Sequence, residues 1–76
     1  MSLKVESPVT WNNEEYSGYE IVGVEWFFYP KVLNVLTEYF WTQNGKNVRR
    51  LIRHPFHVDN DVNVDELIET VHNYHK

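Results

Sequence analysis

The chain has 76 residues, of which 42% are hydrophobic, 16% aromatic and 24% charged, with a formal net charge of −4 and no cysteine. This length predicts one domain, residues 1–76; the apolar content excludes a disordered linker, and the lack of cysteine excludes disulfide bonds and thiolate metal sites. No apolar run is long enough to span a membrane and no secretory signal is seen, so we expect a cytoplasmic protein.

The first two predicted strands lie in the N-terminal half of the chain. Residues 4–11 alternate polar and apolar side chains, and Pro8 predicts an edge strand because proline has no backbone N–H to donate. The polar segment 12–18 is predicted to be a turn or loop. β-branched and aromatic residues dominate residues 19–29, which form the clearest predicted strand, and Gly23 within them indicates a bulge or a close backbone approach.

Residues 31–43 fit either a helix or a strand. Their apolar side chains also suit one face of a helix, which Pro30 and Gly45 would cap. Strand-forming residues nevertheless dominate this segment, and the pair Asn44 and Gly45 is a strong hairpin signal because both residues tolerate the positive φ of a type I′ turn. We therefore predict a hairpin here, with a helix as the alternative.

The hairpin turn fixes the register of the two strands that it joins. It places Tyr39 opposite Arg50, and it makes Arg49 and Arg53 the diagonal neighbours of Glu38. We expect ion pairs from Glu38 to these arginines on one face. On the other face, we expect a cation–π contact between Arg50 and Tyr39.

The last predicted element is an amphipathic helix. Asn63 followed by Glu66 is a helix-capping pattern, and one apolar stripe follows it, made of Val64, Leu67, Ile68, Val71 and Tyr74. Together the elements predict an α+β fold, in which a small antiparallel or mixed sheet of three to four strands packs against the C-terminal helix. The order is ββββα, or ββαβα if residues 31–43 are helical.

The four histidines occur as two pairs with the same spacing, His54 with His57 and His72 with His75. Together they could supply four nitrogen ligands to zinc. However, Pro55 interrupts the first pair, and an extended chain sends the rings of His54 and His57 to opposite faces. The second pair lies in the last helical turn, where the helix dipole favours cations and explains the histidines without a metal. We therefore predict no metal site.

Catalytic and cofactor sites also find little support in the sequence. The acidic run 59–65 has the spacing of a calcium loop, but Val64 stands where glycine is required and Thr70 where glutamate is required. The chain has no nucleophile motif and no glycine-rich phosphate loop. We therefore expect a non-enzymatic protein with no cofactor.

The aromatic content predicts an interaction surface. Twelve aromatic residues are more than a single short helix can cover, so we expect one aromatic sheet face to stay exposed. The candidate partner-binding residues are Trp26, Phe28, Tyr39 and Trp41. We expect a small interaction or regulatory domain that forms a homodimer or binds a protein partner through this face. In the alternative, loops 12–18 and 54–62 fold over the face and the chain is a closed monomer.

Two further functions are open at this stage. Lys46, Arg49, Arg50 and Arg53 form a basic island near predicted aromatic residues, an arrangement that would suit single-stranded nucleic acid. The remainder of the chain is acidic and would suit a small inhibitor of a basic partner.

Overall fold

The computed structural model describes residues 3–59 and 62–75, which form six strands and one helix. The elements are β1 (Lys4–Val5), β2 (Val9–Trp11), β3 (Glu14–Tyr16), β4 (Gly18–Phe27), β5 (Val32–Gln43), β6 (Lys46–His57) and α1 (Val64–Asn73). A four-stranded antiparallel sheet has the order β1-β4-β5-β6, and β2 and β3 form a separate two-stranded sheet. The predicted α+β class, the antiparallel sheet and the C-terminal helix are therefore confirmed, and the small second sheet is additional.

The long hairpin of β5 and β6 has the predicted turn and register. Asn44 and Gly45 have φ angles of 52° and 76°, as a type I′ turn requires. Tyr39 pairs with Arg50, and the register continues unbroken from the turn to the pair of Val32 and His57. The helical alternative for residues 31–43 is wrong, because alternate side chains of β5 are buried, as a strand with one covered face requires.

The N-terminal segment differs from its prediction. Residues 4–11 do not form one strand: β1 pairs with β4, β2 pairs with β3, and Pro8, which has no N–H, lies in the break between them. The predicted loop 12–18 contains β3. Asn12 and Asn13 make the turn of this second hairpin with φ angles of 52° and 66°.

A bulge in β4 changes which side chains face the helix. The register with β5 shifts between Ile21 and Gly23, which confirms the bulge that Gly23 indicated. Ile21 is buried on the helix side, and beyond the bulge Val24 and Trp26 lie on that same face, opposite buried residues of β5. Strict alternation would place Ile21 on the face opposite to Val24, and the extra residue in the bulge explains why both lie on the same face.

The core lies on one face of the sheet, beneath α1 and the β2–β3 hairpin. Its buried apolar residues are Tyr16, Tyr19, Ile21, Leu33, Val35, Tyr39, Val58, Ile68 and Val71. The helix begins as predicted, because the Asn63 side chain accepts hydrogen bonds from the backbone N–H groups of Asp65 and Glu66. No helix in the described ranges is long and apolar enough to cross a membrane.

The other face of the sheet is charged rather than aromatic. Arg49 lies 2.9 Å from a carboxylate oxygen of Glu38 and 3.4 Å from one of Glu20, so the expected pairing with Glu38 is confirmed for Arg49. Arg53 pairs instead with Glu25, at 2.8 Å. In place of the expected contact between Arg50 and Tyr39, the Arg49 guanidinium lies 5.6 Å from the Phe40 ring centroid.

Candidate functional site

The outer edge of β4 is paired along only part of its length. β1 pairs with Tyr19 and Glu20, and the N–H of Ile21 donates to the Leu3 carbonyl at 2.8 Å. Among residues 3–59 and 62–75, no strand lies beside residues 22–27 on that side. Alternate N–H and C=O groups of this segment, which we call the open β4 edge, therefore point away from the sheet without a strand partner.

Exposed apolar side chains concentrate at this edge. Val22 is 47% exposed, Val24 43%, Trp26 42% and Phe28, in the following turn, 84%. The Trp26 and Phe28 rings meet edge to face with centroids 6.4 Å apart, so they form a continuous surface. Nine large apolar side chains are exposed in the described residues, and six of them lie between positions 22 and 29. We call Val22, Val24, Trp26 and Phe28 the apolar patch.

The opposite edge of the sheet, on β6, has the features that discourage strand pairing. Pro55 lies within that strand and offers no N–H. Four basic side chains follow the same strand, Lys46, Arg49, Arg50 and Arg53. Charged residues and proline at an edge disfavour pairing with another chain. The open β4 edge has a single charged residue, Glu25, which is already engaged by Arg53.

The four predicted partner-binding residues separate into two groups. Trp26 and Phe28 belong to the apolar patch, whereas Tyr39 is 0% exposed and Trp41 is partly buried against Tyr16, with ring centroids 5.5 Å apart. Tyr39 therefore has no surface to offer a partner, which corrects the prediction for that residue. The physical reason is that the β2–β3 hairpin and the end of α1 cover the part of the face where Tyr39 lies.

Val22 and Val24 are the patch residues that the predicted set left out. Their signal was present in the sequence, because they alternate with Trp26 and Phe28 along the same predicted strand. Exposure depends on where the hairpin and helix cover the sheet, which alternation does not reveal.

Tyrosine and histidine side chains form a polar cluster within the core. The Tyr39 hydroxyl lies 3.0 Å from Nε2 of His54 and 2.5 Å from Nε2 of His75, and the Tyr19 hydroxyl lies 2.5 Å from Nδ1 of His72. Because one hydroxyl proton cannot serve two acceptors, Tyr39 donates to one imidazole and accepts from the N–H of the other. This network joins β4, β5, β6 and α1.

Burial sets the protonation of this cluster. Burial, with a smaller contribution from the nearby His75 ring, lowers the pKa of His54 to about 4. Burial also lowers the pKa of His75, although the backbone carbonyl of Val71 acts in the opposite direction. It raises the pKa of the Tyr39 hydroxyl. The interpretation of His75 as a cation at the helix end is therefore wrong, because His75 contacts the core instead.

The histidine pairs do not converge on a metal. His54 is buried and His57 is exposed on the opposite face, which confirms the predicted divergence of their rings. In the part of the chain that the structure describes, no three His, Cys, Asp or Glu side chains are grouped so that they could hold a metal ion. Asp61 of the acidic run lies outside the described residues.

The basic island is largely neutralised by carboxylates of other strands. Besides the pairs of Arg49 and Arg53, Arg50 lies 3.1 Å from Glu14 of the small hairpin. Hydrogen bonds to Glu38 and Glu20 raise the pKa of Arg49. Lys46 lies exposed at the start of β6. The arginines thus connect strands, and binding to phosphates would have to displace their carboxylate partners.

No protein-family model, curated protein or solved structure matches this chain.

Proposed function

We propose that this protein is a non-enzymatic interaction domain that binds another polypeptide segment at the open β4 edge. The single observation that carries the proposal is that the unpaired part of β4 coincides with the apolar patch. An added strand would receive backbone hydrogen bonds from the edge, and its side chains would cover Val24 and Trp26.

The backbone of the open β4 edge and the side chains of the apolar patch would contribute to binding in different ways. Main-chain hydrogen bonds supply affinity for any extended segment, and side-chain contacts supply the preference for particular residues. Val24 and Trp26 alternate along the strand on the helix side, so a bound segment would present apolar side chains at every second position to them. Aromatic anchors such as Trp26 commonly dominate the binding energy of such interfaces.

The position of the ionisable side chains supports a binding function rather than catalysis. The clustered tyrosines and histidines are hydrogen-bonded within the core, and Tyr39 and His54 are 0% and 3% exposed. The arginines of the basic island are paired with carboxylates, and the aromatic ring of Tyr39, the residue opposite Arg50, is buried and has no surface on which a base could stack. The open β4 edge is the surface whose backbone and side chains together suit a ligand.

The experiment is a selection of peptides from a random displayed library against the whole chain. We expect the selected peptides to shift the amide resonances of residues 22–27, and Val24→Lys to abolish binding because it places a charge at the edge. Leu51→Lys is the matched control, since Leu51 is 44% exposed on β6 and Val24 is 43% exposed on β4. Binders that shift other resonances and tolerate Val24→Lys would refute the proposal.

A further inference from the structure

Residues 62–75, which we call the C-terminal cover, are attached to the sheet by side chains alone. Within the described ranges, no backbone hydrogen bond joins the cover to a strand. Its side-chain hydrogen bonds to the sheet join Tyr19 to His72 and Tyr39 to His75. Strands β4, β5 and β6, in contrast, are held together by antiparallel backbone pairing. A part of a fold with few such attachments can open separately from the rest.

We propose that the C-terminal cover is released by acid: one proton on His54 and one on His75 detach it from the sheet, while β4, β5 and β6 stay paired. The rings of Trp11, Tyr19 and Tyr39, which the cover contacts, then become exposed. The chain thus changes its exposed aromatic surface in response to pH. This release does not involve the open β4 edge, so it is independent of the proposed function.

The Tyr39 hydroxyl determines how many protons the two imidazoles can hold while the cover is docked. It lies 3.0 Å from Nε2 of His54 and 2.5 Å from Nε2 of His75, and it donates to one ring while it accepts from the other. A first added proton preserves this arrangement, because the protonated ring donates to the hydroxyl and the hydroxyl donates to the neutral ring. A second proton makes both Nε2 atoms donors, so the buried hydroxyl proton loses its acceptor.

The described residues also offer no acid to balance two positive charges at this position. The rings of His54 and His75 have centroids 6.4 Å apart, and no carboxylate in the described ranges forms an ion pair with either ring. Two imidazolium groups would therefore repel each other inside the core.

The other side chains around the two imidazoles are mostly tyrosines. The ionisable ones are Tyr19 of β4, Tyr39 of β5, and His72 and Tyr74 of the cover, with Tyr16 of β3 in contact with Tyr39. Strand β2 contributes the Trp11 ring, which does not ionise. Glu69 of α1 acts on this cluster through Tyr19, where burial and then the Glu69 charge raise the pKa of the hydroxyl.

Burial gives the release its direction with pH. It lowers the pKa of His54 to about 4, with a smaller contribution from the His75 ring, and it also lowers the pKa of His75. Imidazoles that leave the core regain a pKa of about 6.5, so the released state binds protons more readily than the docked state. Docking is therefore fully favoured above about pH 6.5 and weakens as the pH falls below that value.

The first test follows the amide resonances of the whole chain by NMR from about pH 7.5 to about pH 4.5. We expect the resonances of α1 to move to random-coil positions while those of β5 and β6 keep their dispersion. The double variant His54→Gln, His75→Gln is the control and should keep its cover docked throughout. Simultaneous loss of the α1 and hairpin resonances, or native α1 resonances at the lowest pH, would overturn the inference.

The second test counts the protons that the chain takes up on release. Hydrogen exchange of the Val71 amide in α1 measures the equilibrium constant for opening the cover at each pH. Two titrating groups can raise this constant by up to about a hundredfold per pH unit, whereas one group can raise it by at most about tenfold. Between about pH 6 and about pH 5, we expect the increase to exceed about tenfold per unit for the wild type.

Single variants assign these protons to the two rings. His54→Gln and His75→Gln should each reduce the increase to about tenfold per pH unit or less, and His57→Gln, on the exposed face, should leave it unchanged. A merely structural role would lower the protection of a variant equally at every pH and leave the increase per unit as it is in the wild type. That result in both single variants would overturn the inference. A wild-type increase of about tenfold per unit or less would also overturn it, and this measurement decides alone if a glutamine variant lacks its cover at neutral pH.

Discussion

The Tyr39 hydroxyl lies 3.0 Å from Nε2 of His54, and both side chains are almost completely removed from solvent. The same hydroxyl contacts His75 of the C-terminal helix segment at 2.5 Å. Tyr39 thus links β5 and β6 to the C-terminal segment that covers them. The stability of the helix on the sheet should therefore depend on this one oxygen atom.

Replacement of Tyr39 by phenylalanine should destabilise the fold while leaving its packing volume almost unchanged. The substitution removes a partner from two imidazole nitrogens, and a buried polar group left without a partner costs about 1–3 kcal/mol. Urea unfolding would measure this loss. Tyr29→Phe, in the exposed turn after β4, is the control and should leave the unfolding free energy unchanged. Equal stabilities of Tyr39→Phe and the wild type would contradict the role assigned to the hydroxyl.

The pH dependence of stability should reveal the burial of His54. Its pKa in the folded chain is about 4, below the ordinary value of 6.5, so the unfolded chain binds the proton more readily. Stability should therefore be fully present above pH 6.5 and fall as the pH drops towards 4, with a contribution of roughly 3 kcal/mol from this group. The ionisable groups in contact with His54 are Tyr39, Tyr74 and His75.

A histidine substitution separates this effect from the titration of carboxylates. His54→Gln should flatten the loss of stability between pH 6.5 and 4, measured by urea unfolding at each pH, because its side chain cannot be protonated. His57→Gln removes a histidine from the exposed face and serves as the control. Identical slopes for the wild type and His54→Gln would show that His54 is not buried in neutral form.

Alanine substitution of two glycines should have opposite consequences in β4. A Cβ at Gly18 would lie 2.2 Å from the Val5 carbonyl oxygen, so Gly18→Ala should displace β1 and cost about 1–3 kcal/mol. A Cβ at Gly23 meets only Leu36, at an ordinary 3.9 Å, so Gly23→Ala should be neutral or stabilise by up to about 1 kcal/mol. Hydrogen exchange of the Ile21 amide, which donates to Leu3, would report the loss of β1. Equal losses in both variants would contradict this account.

Arg49 should stabilise the charged face because its positive charge offsets the repulsion between two neighbouring glutamates. Glu20 and Glu38 are directly paired across β4 and β5, and Arg49 contacts both. Arg49→Ala should therefore lower the free energy of unfolding at low salt, and the loss should shrink as salt screens the repulsion. Adding Glu20→Gln to the Arg49→Ala variant should restore most of the lost stability, because it removes one of the two repelling charges. Arg53→Ala is the comparison, because its partner Glu25 lies opposite Asn34 rather than an acid.

The parts of the fold that depend on local chemistry were predictable from the sequence. Asn44 and Gly45 specify a turn by their tolerance of positive φ, and that turn fixed every pair of the long hairpin. Asn63 likewise marked the start of the helix. In both cases the residues that carry the signal lie within a few positions of the structure that they specify.

The parts that depend on distant contacts were not predictable. The burial of Tyr39 results from contact with His75, 36 positions away in sequence, and the Tyr19 contact with His72 spans 53 positions. The alternation of polar and apolar residues along a strand predicts the sheet face on which a side chain lies. It does not predict which part of that face is covered by another element. The small hairpin was missed because Glu14 and Glu15 have the composition of a loop.

The length of the β5–β6 hairpin has a consequence for the order in which the chain folds. Its twelve pairs start from a two-residue turn, so each new pair adds little to the entropic cost of loop closure. The contacts of Tyr19 with His72 and of Tyr39 with His75, in contrast, close long segments of the chain. We therefore expect the hairpin to nucleate folding. Destabilising Thr42, beside the turn, should chiefly slow refolding, and destabilising Val71 should chiefly speed unfolding, as stopped-flow kinetics would show.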